Sequence, residues 1–104
     1  MPRIVDPIRR VYRAEPHALF GACLTALAQM RARIERHDAA EGTIVAVLGG
    51  GFLAPASQLT LQIVPAGPGQ SQLAAGLRAL RRGGDRRALP VLLATVDGLL
   101  ARAG

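Results

Sequence analysis

The sequence predicts an α+β fold, a two-layer sandwich in which an antiparallel sheet of four to five strands carries two helices on one face. Two observations lead to this fold class. Apolar residues recur at three-four spacing near each end of the chain, which predicts helices, and alternate with polar residues between them, which predicts strands. The expected order is β-α-β-β-β-β-α. At 104 residues the chain is long enough for one core, so residues 1–104 are expected to form a single domain.

The first two predicted elements are a strand and a helix. Residues 8–14 form the strand, and Glu15-Pro16 suits a helix entry because proline is tolerated in the first helical turn. The helix is predicted to extend to about Met30. Its core-facing stripe consists of Phe20, Cys23, Leu24, Leu27 and Met30.

The middle of the chain is predicted to be strands joined by turns that contain glycine, proline or acidic residues. These strands are residues 31–37, 43–48, 58–64 and 72–80. Alternation is clearest in the third of them, where the apolar residues Leu59, Leu61 and Ile63 share one face. For residues 71–82 a helix is the alternative, because their leucines also fit helical spacing and alanine favours helix.

The last predicted element is a helix over residues 89–103. Pro90 suits its first turn. Its apolar stripe consists of Leu92, Leu93, Val96, Leu99, Leu100 and Ala103. Gly98 in the interior of this helix is expected to cost about 1 kcal/mol relative to alanine.

The way in which a short strand leads through Ala14–Phe20 into a helix resembles small bacterial domains of unknown function that share a strand-helix-strands-helix plan. The resemblance covers roughly residues 9–103 and rests on the order of the elements. It implies the two-layer fold, and it assigns no functional residue.

The charge of the chain comes from thirteen arginines, with no lysine, and the net charge is +6. Such a balance favours acidic partners: acidic proteins, nucleic acid or anionic lipid. The densest cluster surrounds Gly83-Gly84, and its members are Arg81, Arg82, Arg86 and Arg87. Guanidinium groups bind phosphate and carboxylate well, and glycine allows backbone amides to turn inward, so this segment is the predicted anion-binding site. The alternative is a solvated turn.

A second basic group is predicted on the solvent face of the sheet. Its members are Arg9 and Arg13 of the first strand and Arg31 and Arg33 of the second, beside Thr60 and Gln62, if those two strands are neighbours. Val45 and Val47 are expected to face outward from the sheet, where a second copy of the chain would cover them. A homo-oligomer is therefore expected.

Catalytic and metal sites are not predicted. Cys23 lies six positions after His17 on one helix, which turns the two side chains about 120° apart, too far for a nucleophilic pair. His37 has no companion ligands at metal-site spacing, and Gly49-Gly50-Gly51 lacks the residues that follow in a nucleotide-binding loop. No cofactor is expected.

These features predict a non-enzymatic interaction or assembly module whose basic surface binds an acidic partner. The alternative is a carrier that holds a small apolar ligand between helix and sheet, with Gly49–Leu53 as its gate. The uncharged stretch Ala18–Met30 of the first predicted helix is too short to cross a bilayer. With one cysteine and no disulfide possible within the chain, a cytoplasmic protein is expected.

Overall fold

The structure, a computed structural model, describes residues 7–49, 57–80 and 87–103. Its elements are β1 (Ile8–Tyr12), α1 (Pro16–Gln29), β2 (Arg33–Asp38), β3 (Thr43–Leu48), β4 (Ser57–Gly67), β5 (Gln70–Ala79) and α2 (Ala88–Ala103). The predicted fold class and element order are confirmed. The segment for which a helix was the alternative is strand β5.

The five strands form one open antiparallel sheet in the order β1-β5-β4-β3-β2. β4 therefore lies at the centre, while β1 and β2 form opposite edges. Helix α1 connects β1 to β2 in the chain, and it contacts β5, β4 and β2 as it crosses one face of the sheet. The first two strands are consecutive in the sequence, but they are not neighbours in space.

Both helices pack against the same face of the sheet and against each other. The core that they enclose contains Leu19, Cys23 and Leu27 of α1, Leu59 and Leu61 of β4, and Leu92 and Val96 of α2, all fully buried. The leucine and valine side chains at these positions stabilise the fold, because their apolar surface leaves water when the domain folds. The alternation predicted for β4 is confirmed, because its odd-numbered residues from 57 to 63 are buried and its even-numbered residues are more exposed.

The hairpin between β4 and β5 is longer than the sequence predicts. Composition predicts a turn over residues 65–70, whereas strand pairing continues to Gly67 and Gln70 and leaves a turn of two residues. The glycines explain the difference, because Gly67 and Gly69 adopt φ values of +137° and +67° that few other residues tolerate. An irregularity between Pro65 and Gly67 accommodates the proline, which has no N–H to donate.

The end of α1 is closed by two backbone hydrogen bonds. The Arg31 N–H donates to the Ala28 carbonyl at 3.0 Å, and the Ala32 N–H donates to the Leu27 carbonyl at 2.9 Å. This is a Schellman motif, in which the residue after the C-cap takes a left-handed conformation that usually selects glycine. Here that residue is Arg31, with φ of 59°. The predicted second strand accordingly begins at Arg33 and not at Arg31.

Replacing Arg31 by glycine is expected to stabilise the protein by about 1 kcal/mol, because glycine adopts the left-handed conformation without the steric cost of a Cβ atom. Chemical denaturation checks this through a higher midpoint. Arg31→Ala is the control, since it removes the charge and keeps the Cβ atom. Equal midpoints for the glycine and alanine variants would contradict the explanation.

Candidate anion-binding surface

Most of the predicted anion-binding segment lies outside the described residues. Arg81, Arg82 and Arg86 belong to that part, as do Gly50–Leu53 of the predicted gate. Arg87 is described and exposed, and its carbonyl accepts a hydrogen bond from the Val91 N–H at 3.1 Å. This bond places Arg87 directly before the first turn of α2.

The strand register brings two other arginines onto one row of the sheet. Arg33 pairs with Val47, Val47 with Gln58, and Gln58 with Arg78. We call these four residues the Arg33–Arg78 row. Successive strands are about 4.8 Å apart, so the α-carbons of its two arginines are about 14 Å apart across the sheet. Both side chains are on the face opposite the helices, because Gln58 alternates with the buried Ser57 and Leu59.

Three further rows complete this helix-free side, which we call the open face. One consists of Arg36, Val45, Thr60 and Gly76, the next of Asp38, Thr43, Gln62, Ala74 and Arg9, and the last of Val64, Gln72 and Val11. The middle of the open face is therefore uncharged and has small or polar side chains. Arginines stand at its β1 and β2 edges and at Arg78.

The predicted patch of neighbouring arginines on the first two strands is wrong. β1 and β2 are on opposite edges, so Arg9 and Arg33 flank Thr60 and Gln62 from two sides and do not form one cluster. The reason is topological, since α1 carries the chain across the whole sheet between them. Arg13 lies beyond the end of β1, and Arg31 lies in the turn after α1.

The side chain of Val47 is also less exposed to solvent than the sequence predicts. It belongs to the open face by register, as does Val45, yet only 4% of its surface is exposed. In the register it lies between two long side chains, Arg33 and Gln58. Val45 is half-buried, so neither valine offers a freely exposed apolar surface.

Charges on the open face are mostly unneutralised. Within residues 7–49, 57–80 and 87–103, neither Arg33 nor Arg78 takes part in an ion pair. Glu35 accepts a hydrogen bond of 3.4 Å from the Gln58 side chain, which brings one carboxylate beside the Arg33–Arg78 row. Arg10 is on the helix side of β1, where it forms an ion pair of 3.1 Å with Asp97 of α2.

Neither Cys23 nor Tyr12 is suited to act as a nucleophile. Cys23 is fully buried, and burial raises the pKa of its thiol to about 12. Burial and the nearby Asp97 carboxylate raise the pKa of Tyr12 to about 12. In the described part of the chain, no three of the histidine, cysteine, aspartate and glutamate side chains cluster as metal ligands do.

An open groove of about 400 Å³ lies at the start of α1. It is lined by His17 and Phe20 of α1, by Gly42 and its neighbours in the β2–β3 turn, and by Ile63 and Pro65 of β4. The groove is mostly apolar. It lies at the start of β3, whereas Gly49 follows the end of that strand, about 20 Å along it.

Sequence reasoning missed Arg78 and Arg36 as members of a shared surface. Arg78 could have been found from alternation, because Gln72, Ala74 and Gly76 precede it at every second position. Their place on a surface shared with Arg33 depends on the strand order, which the sequence alone does not show.

No described helix is both long and apolar enough to span a membrane. No protein-family model matches the chain, and no curated protein matches it.

Proposed function

We propose that the protein is a non-enzymatic interaction module that binds an acidic partner through an arginine surface. This surface consists of Arg33, Arg78 and the predicted site residues Arg81, Arg82, Arg86 and Arg87. The observation that supports it is the Arg33–Arg78 row, in which two guanidinium groups that form no ion pair with any described residue share the open face with the uncharged Val47 and Gln58. The protein has a single cysteine, which suits a reducing compartment such as the cytoplasm.

The chain itself links the row to the predicted segment. Arg81 and Arg82 follow Arg78 by three and four positions, so a polyanion that contacts Arg78 is within reach of them too. Arginine presents a planar fork of donors that matches phosphate and carboxylate oxygens. The amide of Gln58 and the hydroxyl of Thr60 add neutral hydrogen-bonding groups on the same face.

The partner recognised by this surface is expected to be bound through its charged groups and not through its sequence. The described open face carries no aromatic side chain on which an unpaired base would stack. Binding is therefore expected to fall steeply as salt rises, because each contacted phosphate releases a counterion.

Replacing Arg81, Arg82, Arg86 and Arg87 together by glutamine is expected to weaken binding and to make the salt dependence shallower, by about one unit of log–log slope for each phosphate that the variant no longer binds. Affinity is measured at two salt concentrations for single-stranded DNA, double-stranded DNA and anionic vesicles. Arg33→Gln with Arg78→Gln should act in the same direction.

Arg102→Gln is the matched control for these variants. Arg102 is exposed in the last turn of α2, about 22 Å along the helix axis from Arg87. Its loss removes the same type of charge and should leave the salt slope unchanged. The proposal fails if the wild-type protein binds none of these polyanions at low salt, or if Arg102→Gln has as large an effect as the quadruple change.

A carrier of a small apolar ligand is the second candidate, and the groove at the start of α1 is the observation that favours it. Its volume of about 400 Å³ is within the range of small-molecule sites. We also propose that the chain forms a homo-oligomer. Native mass spectrometry of the purified protein tests both, because one spectrum reports the number of copies and any retained small molecule.

A further inference from the structure

Among the described residues, no strand covers the outer edge of the sheet at β1. β1 pairs with β5 on one side, and none of the other described strands pairs with it on the far side. Residues Ile8–Val11 are exposed, and 61% of the Val11 surface faces solvent. In an edge strand, alternate residues direct their N–H and C=O groups away from the sheet, so β1 has free main-chain groups to which a further strand can pair.

The opposite edge, at β2, is less suited to the addition of a strand. The register of β2 is interrupted between Ile34 and Arg36, and its side chains carry both signs of charge. Bulges and mixed charges hinder the addition of a strand. β1, in contrast, pairs with β5 without a break over five residues, and its only charged side chains are Arg9 and Arg10.

The two arginines of β1 differ in their surroundings. Arg10 is on the helix side and is neutralised by Asp97 at 3.1 Å. Arg9 is on the open face, and within the described residues it forms no ion pair. A strand added beside β1 therefore meets one uncompensated positive charge.

This charge argues against a second copy of the chain as the occupant. If two β1 strands paired in parallel register, Arg9 would lie beside Arg9. In antiparallel register about their centre, each Arg9 would face Val11, and because β1 contains no acidic residue, neither register would give Arg9 an opposite charge. Like charges on opposing strands destabilise pairing, and opposite charges stabilise it. A segment with acidic residues at alternate positions, whose side chains fall beside Arg9, is complementary.

We propose that the free edge of β1 binds an extended acidic segment of a partner protein, which adds to the sheet as a sixth strand next to β1. Main-chain hydrogen bonds hold the segment, and Arg9 selects its acidic side chains. Val11, on the same face of β1, favours an apolar or aliphatic contact beside the charge. This edge is separate from the Arg33–Arg78 row, so the inference does not depend on the proposed function.

The probe is a capped seven-residue peptide of alternating glutamate and valine, titrated into the full-length chain at low salt and followed by fluorescence anisotropy. Two further peptides carry N-methyl groups at positions 2, 4 and 6 or at positions 3, 5 and 7, and each set removes the amide donors on one side of an extended strand. Strand addition requires that one set weaken binding at least about tenfold and that the other have little effect, because only one side faces β1. Equal binding of both methylated peptides would overturn the proposal.

Variants of the protein separate the edge from the other basic residues. Arg9→Gln is expected to weaken binding of the unmethylated peptide several-fold, while Arg36→Gln, its matched control on the opposite edge, should not. Arg102→Gln, which removes an exposed charge in the last turn of α2, should also leave peptide binding unchanged. If Arg36→Gln or Arg102→Gln reduced peptide affinity as much as Arg9→Gln, charge attraction without strand pairing would be the explanation, and the proposal would be wrong.

Discussion

Leu61→Ala is expected to lower the free energy of unfolding by about 2–5 kcal/mol. Leu61 is in the central strand β4, is fully buried, and pairs in register with Ile44 and Ala75, which are also fully buried. Removal of its side chain leaves a cavity. The helices on one side and the neighbouring strands on the other prevent this cavity from closing. Small domains are stable by only about 5–15 kcal/mol, so this one change removes a large part of the total.

Chemical denaturation measures this loss as a lower midpoint at an unchanged m-value. Val64→Ala is the control on the same strand, because 40% of the Val64 surface is exposed and its loss should change stability by no more than about 0.5 kcal/mol. Should the alanine variant fail to fold, Leu61→Val makes a smaller cavity and permits the same measurement. A midpoint equal to that of the wild type would mean that Leu61 does not face the core.

The fold was largely predictable because its strongest signals are local. The alternation in β4 and the apolar stripe predicted for α1 depend only on which side chains must leave water. The structure confirms the alternation and buries Phe20, Cys23 and Leu27 of the stripe. Leu24 and Met30, the other two members of the stripe, are half-buried. The first and last residues of the strands were predicted less well where the backbone conformation of a neighbouring turn determines them. Arg31 takes a left-handed conformation at the end of α1, which composition does not indicate.

The candidate surface was predictable only in part, because it depends on long-range pairing. The sequence shows that Arg33 and Thr60 alternate with apolar residues, but it does not show which strands are adjacent. The order β1-β5-β4-β3-β2 separates Arg9 from Arg33 and aligns Arg33 with Arg78. The ion pair between Arg10 and Asp97 spans 87 positions, so no local pattern contains it.

Gly42→Ala is the second substitution for which we expect a large effect, a loss of more than about 2 kcal/mol of stability. Gly42 closes the β2–β3 turn with φ of +71°, and its carbonyl accepts a hydrogen bond of 2.7 Å from the Ile63 N–H. A Cβ atom at this position would overlap the Ile63 carbonyl oxygen, which belongs to the backbone of the central strand. Because backbone cannot rotate away as a flexible side chain can, the turn or β4 itself must shift.

Two variants separate the conformational cost from the steric one. Gly69 has a similar φ of +67°, and a Cβ atom there would meet nothing within 4 Å beyond its chain neighbours, so Gly69→Ala should cost only the left-handed conformation, about 1 kcal/mol. Asparagine tolerates positive φ better than alanine but also carries a Cβ atom, so Gly42→Asn should be nearly as harmful as Gly42→Ala. If Gly42→Ala and Gly69→Ala lowered the denaturation midpoint equally, the close approach of Gly42 to β4 would contribute nothing, and φ alone would account for the glycine.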